Sequence, residues 1–306
     1  MKNPRRLRQI ASLTLLLLTA AAFIWYLRAH PDYITELLET DPRAIAAVIG
    51  VNVVLIGVMT GVYYYTVRLA GGTIPGRENF LLTIYSSIAN FFGPLQSGPG
   101  VRAVYLKQKR GVRLRDYTFA TLVYYAMFAV INAVFLVIGT RPWWQTVLAA
   151  AAAGGFSYVV LAWVKQQRLT TSSGGASRFS FAPRLLAILF CLTLLQTTLV
   201  TVRYYIELSA TGASVSVGQA VSYTGAANFA VFASITPDGV GIREAFLLFS
   251  QSIHGVNTQE IVGANLLDRA SYILFLALLF IVAVSMHAKD RITKARPEPV
   301  KPTRSR

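Results

Sequence analysis

The chain has 306 residues, is 54% hydrophobic and carries a formal net charge of +16. Several apolar runs approach the roughly 20 residues that a helix needs to cross a hydrocarbon core, and no polar stretch is long enough to build a soluble domain. The composition therefore predicts an integral membrane protein and excludes a soluble globular class.

The apolar runs predict six spanning helices, which cover residues 9–28, 44–67, 116–139, 143–164, 183–206 and 258–285. The predicted fold class is an all-α polytopic membrane protein with one transmembrane domain over residues 1–290. Residues 291–306 are rich in lysine and arginine, and we expect them to form a disordered cytoplasmic tail.

The positive charge is concentrated before the first span, in the linkers around 68–77, 107–115 and 165–184, and in the tail. An excess of Lys and Arg marks cytoplasmic loops, so both termini are predicted on the cytoplasmic side of a bacterial inner membrane. The charge is thus explained by topology and does not imply nucleic-acid binding. The loops predicted outside carry acidic residues, namely Asp32, Glu36, Glu39, Asp41, Glu207 and Glu260.

One segment occurs twice. Residues Ala89–Leu106 read ANFFGPLQSGPGVRAVYL, and residues Ala227–Leu248 read ANFAVFASITPDGVGIREAFLL. Both open with Ala-Asn-Phe, pass through a Pro/Gly-rich break and resume with Gly-x-Arg. Paired broken helices in corresponding halves of a membrane protein indicate a transporter's binding site.

Each copy is too short to cross the membrane, so each is predicted to be a re-entrant hairpin whose tip contains helix-breaking residues. The order span, hairpin, span occurs in repeat A (about 44–139) and repeat B (about 183–285), with the first hairpin entering from inside and the second from outside. This is an inverted-topology repeat. Alternatively, each hairpin is a full crossing made of two kinked helices, which would place the basic linker 107–115 outside. The tip residues are Pro94, Gly98, Pro99 and Gly100 in the first copy and Pro237, Gly239 and Gly241 in the second.

Charged residues within the membrane narrow the range of possible functions, because placing each charged side chain at the bilayer centre costs roughly 2.5–3.5 kcal/mol. They should face the interior and pair, for example Arg269 with Glu244 or Asp268 with Arg243. Two interpretations stay open: the charges only hold the hairpins in place, or the tip arginines bind an anionic headgroup. The candidate substrate-binding residues are Arg102, Asp238, Arg243, Glu244, Asp268 and Arg269.

The segments GPLQSGPGVRAVYL and SITPDGVGIREAFLL resemble the lysylphosphatidylglycerol synthase transmembrane-region family, also called the flippase-like domain. The resemblance covers roughly residues 10–290. The second segment is similar to the family's Pro-x-Gly-x-Gly-x-Arg-Glu motif, which is matched by Pro237, Gly239, Gly241, Arg243 and Glu244.

The first repeat departs from the family pattern. Pro94, Gly98, Gly100 and Arg102 match it, but the usual acidic residue of the first tip is absent. Family members also often carry an acidic-Arg pair in the following helix, where this chain has the uncharged stretch 121–125. The first hairpin is therefore expected to bind differently, or this member handles a different lipid.

The resemblance implies movement of an anionic or zwitterionic phospholipid, or a polyprenyl-type lipid, across the membrane. The alternative is a non-catalytic membrane partner of a lipid-modifying synthase or glycosyltransferase. No HExxH, GxSxG or Cys/His constellation occurs, so no catalytic residue, metal site or cofactor is predicted, and no nucleic-acid partner is expected. Oligomeric state, direction and energy coupling stay undetermined by the sequence.

Overall fold

The computed structural model describes residues 38–92, 97–170, 182–232 and 242–295, with a few isolated positions before them. Within these ranges the chain is helical and contains no strand. The helices are α1 (Pro42–Leu69), α2 (Gly76–Phe92), α3 (Gly98–Arg110), α4 (Leu114–Ile138), α5 (Trp143–Thr170), α6 (Pro183–Ala210), α7 (Val217–Phe232), α8 (Ile242–Phe249), α9 (Gln251–His254) and α10 (Thr258–Ala295).

Four of the predicted spans coincide with helices long and apolar enough to cross a membrane: Pro42–Leu69, Leu114–Ile138, Pro183–Ala210 and Thr258–His287. The predicted span 143–164 lies within the 28-residue helix α5, and its crossing stays a prediction. The predicted span 9–28 lies almost entirely outside the described residues. The boundary predicted at residue 290 falls inside α10, which continues to Ala295.

The first spans of the two predicted repeats, α1 and α6, match in length and in their starts. Both have 28 residues and carry proline in the first turn, where the missing N–H has no intrahelical partner to lose. Pro183 lies 141 positions after Pro42. The N-terminus of α1 is capped by Asp41, whose side chain accepts from the Arg43 N–H at 2.9 Å.

Helices α1 and α6 pack together in antiparallel directions. The side chain of Leu192, early in α6, lies over Gly61 in the second half of α1. Near the other end of the pair, Arg203 donates to Asn52 Oδ1 at 3.2 Å. This central pair lies between the two short-helix hairpins.

Helices α2 and α3 form a closed antiparallel hairpin that is tied at both ends. At the tip, Gly98 N donates to Asn90 Oδ1 at 2.7 Å. At the base, Arg110 Nε donates to Glu78 Oε1 at 2.7 Å, and this hydrogen bond lowers the pKa of the Glu78 carboxyl below its usual value. The helices have 17 and 13 residues, or about 26 and 20 Å, which is short of a ~30 Å hydrocarbon core.

The predicted tip residues Gly98, Pro99 and Gly100 form the first turn of α3 rather than an irregular break. Proline is compatible with the first helical turn because the N–H it lacks has no acceptor there. Glycine is required at 98, since a Cβ would lie 2.5 Å from Asn90 Oδ1 and 2.6 Å from Ser86 O. Helix α3 therefore begins at Gly98, and Pro94 lies outside the described residues.

Helices α7 and α8 form the second hairpin, which opens at the opposite end of α4. Helix α4 begins just after α3, at the base of the first hairpin, and ends beside the start of α7, where the hydroxyls of Thr140 and Ser222 are 3.1 Å apart. Gln219 Nε2 donates to Gly255 O at 3.4 Å, which ties the start of α7 to the end of α9. The two hairpins thus open towards opposite ends of a spanning helix.

Both hairpins contact α10, the first from its middle towards its end and the second in its first third. The base of the first hairpin lies beside the end of this span, where Arg77 donates to Met286 O at 3.0 Å. Its tip lies near mid-helix, where the ring centroids of Phe91 and Tyr272 are 5.8 Å apart. In the second hairpin, Arg243 at the start of α8 donates to Asn265 Oδ1 at 2.7 Å.

The contact between α4 and α7 depends on glycine. A Cβ on Gly225 would lie 2.6 Å from Leu136 Cα and 2.8 Å from Asn132 O, which are backbone atoms that cannot rotate away. One turn further along, Asn228 Nδ2 donates to Asn132 Oδ1 at 2.7 Å. Small residues of this kind allow membrane helices to approach closely.

We predict that Gly225→Ala lowers the thermal stability of the purified protein, because the added methyl group must separate α4 from α7. The expected loss is about 1–3 kcal/mol, measured as a lower Tm in detergent. Gly154→Ala in α5 is the control, since a Cβ there meets no atom within 4 Å. Equal melting temperatures for the two variants would contradict this packing.

Candidate functional site

A buried carboxylate bridges two arginines beside the second hairpin. Asp268 of α10 lies 2.6 Å from Arg243 Nη1 of α8 and 3.1 Å from Arg203 Nη2 of α6. Asp268 is 4% and Arg243 3% exposed. One carboxylate therefore joins a hairpin limb to two spanning helices, and the predicted pairing of Asp268 with Arg243 is confirmed.

The remaining groups of this cluster are polar and buried. Arg243 also donates to Asn265, and Arg203 to Asn52 at 3.2 Å. Glu207, one turn after Arg203, is fully buried, and its Oε1 lies 3.7 Å from Arg203 Nε. We call the set of Arg203, Glu207, Arg243, Asn265 and Asp268 the charged cluster.

A second ion pair lies next to the charged cluster. Arg269 Nη2 donates to Glu244 Oε1 at 2.5 Å, as predicted from the sequence. The Arg269 side chain is 5% exposed and that of Glu244 is 28% exposed. This pair holds α8 against α10, so both predicted pairs help to fix the hairpin position.

The first hairpin places a single arginine among aromatic rings. The Arg102 guanidinium carbon lies 3.2 Å from the centroid of the Tyr63 ring, and Arg102 Nε donates to the Tyr117 hydroxyl at 3.0 Å. Arg102 is 3% exposed. Among the described residues no carboxylate pairs with it, and its Nη1 has no acceptor. A cation–π contact partly compensates such a charge but does not neutralise it.

The two arginines of the repeated motif lie in separate clusters. Arg102 contacts Tyr63 of α1, whereas the charged cluster contacts Asn52 of the same helix through Arg203. Eleven residues separate these two positions, or about 16 Å along the helix. The two arginines therefore lie apart along α1, and the expectation that both contact a lipid phosphate stays a prediction.

Polar groups occupy the α6 face between the clusters. The Tyr124 hydroxyl of α4 donates to Gln196 Oε1 at 3.1 Å. The hydroxyls of Thr197 and Thr201 donate to carbonyls one turn earlier in α6 and are buried. A polar strip therefore runs along α6 from the Arg102 cluster towards the charged cluster.

The two clusters occupy equivalent positions with different residue types. Arg243 lies 141 positions after Arg102, and Tyr204 lies 141 positions after Tyr63. The same offset from Arg203 leads to Val62, so the first half lacks the second arginine. One half stabilises its motif arginine with carboxylates, and the other with tyrosines.

Sequence reasoning found part of this arrangement. Glu207 was expected in an outer loop, but α6 continues to Ala210 and buries it. The sequence did not identify Arg203 and the tyrosines around Arg102 as partners of the motif arginines. Hydropathy does not show which face of a helix packs against which neighbour. Several candidates lie outside the described residues, namely Pro94, Pro237, Asp238, Gly239 and Gly241.

The described ranges bring together no three His, Cys, Asp or Glu side chains that could hold a metal ion. His254 is fully buried at the end of α9. Its Nε2 lies 3.0 Å from Leu247 O, and its Nδ1 accepts from Val256 N at 3.1 Å. Burial lowers the pKa of His254, which favours the neutral ring. The ring therefore links the backbone of residues 247 and 256 by hydrogen bonds.

Residues 5–279 match the family model described as the lysylphosphatidylglycerol synthase TM region. The chain belongs to this family. The match covers both hairpins, both clusters and the four candidate spans up to residue 279. No curated protein matches the chain significantly.

We predict that Asp268→Asn destabilises this family member by about 3–5 kcal/mol, because it leaves two buried guanidinium groups without their shared counter-ion. The measurement is thermal or denaturant unfolding in detergent. The double variant Asp268→Asn with Arg243→Gln should recover part of the loss.

The matched control is Asp41→Asn, since asparagine caps a helix about as well as aspartate and the position is exposed. If Asp268→Asn unfolded like Asp41→Asn, the bridge would not support the fold.

Proposed function

We propose that the protein moves an anionic or zwitterionic phospholipid, or a polyprenyl-type lipid, across the bacterial inner membrane. The headgroup passes through the polar interior between two re-entrant hairpins while the acyl chains stay in the bilayer. In this proposal the protein performs no chemical step and uses no cofactor.

The observation that carries this proposal is the uncompensated charge of Arg102. A guanidinium that is 3% exposed, stacked on Tyr63 and without a described carboxylate partner is costly at membrane depth unless an anion reaches it. Guanidinium binds phosphate through paired N–H donors, and Arg102 Nη1 has no described acceptor. The N-terminus of α3, one turn away, adds partial positive charge.

The arrangement of the hairpins supports alternating access. Each motif arginine lies in the second limb of a short-helix hairpin, and the hairpins open towards opposite ends of α4. Inverted repeats of this kind rock around a central site in many carriers. The two clusters are about 16 Å apart along α1, so one phosphate cannot contact both at once. We infer that the phosphate contacts Arg102 first and then Arg203 together with Arg243.

The orientation follows from charge. The end of the molecule where the first hairpin opens carries the basic linker Lys107–Arg115, and such segments favour the cytoplasmic side. In this orientation Arg102 serves the inner leaflet and the charged cluster serves the outer leaflet.

We predict that Arg102→Gln slows lipid movement about tenfold or more, because the charge-assisted hydrogen bonds to phosphate are worth about 1.5–3 kcal/mol. The full chain is reconstituted in liposomes with a fluorescent phosphatidylglycerol, and dithionite bleaching measures its appearance in the opposite leaflet. Arg102→Lys keeps the charge but loses the planar stack, so its rate should be intermediate.

Lys107→Gln is the matched control, since Lys107 is exposed on the same helix, and it should move lipid at nearly the wild-type rate. Equal rates for wild type and Arg102→Gln, with both proteins folded, would reject the role of Arg102. A wild-type protein that moves no lipid would reject the carrier and favour a partner subunit of a lipid-modifying enzyme.

A further inference from the structure

Glu207 is held much more loosely than the other carboxylate of the charged cluster. It is fully buried, yet neither of its oxygens accepts a hydrogen bond from a described residue. Its nearest cationic atom, Arg203 Nε at 3.7 Å, likewise has no described acceptor. Glu207 is thus paired with Arg203 without a hydrogen bond, so proton uptake by this carboxylate breaks no described hydrogen bond.

Asp268 differs, because it lies 2.6 and 3.1 Å from two guanidinium groups. Among the described residues the cluster contains two positive side chains, Arg203 and Arg243, and two acidic ones, Asp268 and Glu207. With both acids ionised the cluster is neutral. A bound phosphodiester would leave one negative charge in excess, unless Glu207 takes up a proton.

We propose that Glu207 is an exchangeable counter-charge, ionised in the empty site and protonated when an anionic phosphodiester lies on Arg203 and Arg243. Each anionic lipid would then be accompanied by one proton. This inference rests on the proposed function and adds its energy coupling. The proton passes from hydronium or a buffer acid to a carboxylate oxygen of Glu207, and no other bond forms or breaks.

The other groups around Glu207 are either ion-paired or uncharged, which makes Glu207 the expected site of proton uptake. Helix α10 presents Asp268, which both arginines bind, and beyond it Arg269, which pairs with Glu244. Helix α7 presents Tyr223, whose ring centroid lies 5.2 Å from that of Tyr204 on α6.

On the remaining sides Glu207 meets no further described carboxylate. Helix α8 presents Arg243, and α1 presents the uncharged Asn52, which is bound to Arg203. His254 lies behind Tyr223, with ring centroids 5.3 Å apart, and both of its ring nitrogens have backbone partners. The contacts described for α4 bring no charged group to the cluster.

The test measures protons taken up when the full chain, in detergent, binds dihexanoylphosphatidylglycerol. Calorimetry in buffers of different ionisation enthalpy gives the number of protons per bound lipid. We expect about one proton for wild type, with an affinity that falls by up to about tenfold for each unit rise in pH.

Glu207→Gln imitates the protonated side chain. It should bind the anionic lipid more tightly than wild type at high pH, with no proton uptake and a flat pH dependence. The control Glu39→Gln changes an exposed glutamate and should keep the wild-type stoichiometry.

Liposomes with a pH gradient provide a second measurement that needs no variant. Wild type should move fluorescent phosphatidylglycerol faster from the acidic side to the alkaline side than in reverse. Lipid binding and movement without proton uptake, or equal uptake by wild type and Glu207→Gln, would overturn this inference and leave the proposed function standing. Failure of wild type to bind or move any lipid would overturn both.

Discussion

The structure depends on one buried ionic contact, the Asp268 carboxylate shared by Arg203 and Arg243. It joins α6, α8 and α10 in the part of the molecule where unpaired charge is most costly. Helix α8 has only eight residues, and this ionic contact adds to the apolar burial of Leu247. The same contact that positions the second hairpin therefore also assembles the only described cluster with two arginines.

The two halves of the chain compensate the charge of a buried motif arginine in different ways. The second half surrounds its motif arginine with carboxylates and amides, whereas the first half surrounds Arg102 with tyrosines. Aromatic rings stabilise a cation without cancelling its charge, so the first cluster stays attractive to anions. The described side chains of the second cluster are balanced in charge, so the proposed phosphate binding there requires a charge to be displaced or neutralised. In the proposed carrier, this asymmetry would give the two faces different requirements for phosphate binding.

Apolar length and motif repetition predicted much of the fold. The four candidate spanning helices and the short helices around each break follow from the lengths of the apolar runs. Both ion pairs, Arg243 with Asp268 and Arg269 with Glu244, follow because buried charges need partners. Arg203, Glu207 and Tyr63 could not be assigned in this way. Their roles depend on how far α6 extends and on which face of α1 meets Arg102, and these are properties of packing between helices that hydropathy does not contain.

The most direct test of the account is an experimental structure of the protein in nanodiscs that contain phosphatidylglycerol. We expect phosphate density within hydrogen-bonding distance of Arg102 Nη1, or between Arg203 and Arg243 with Glu207 turned away from Arg203. Lipid density confined to the outer surface, with both arginine clusters unchanged, would contradict it.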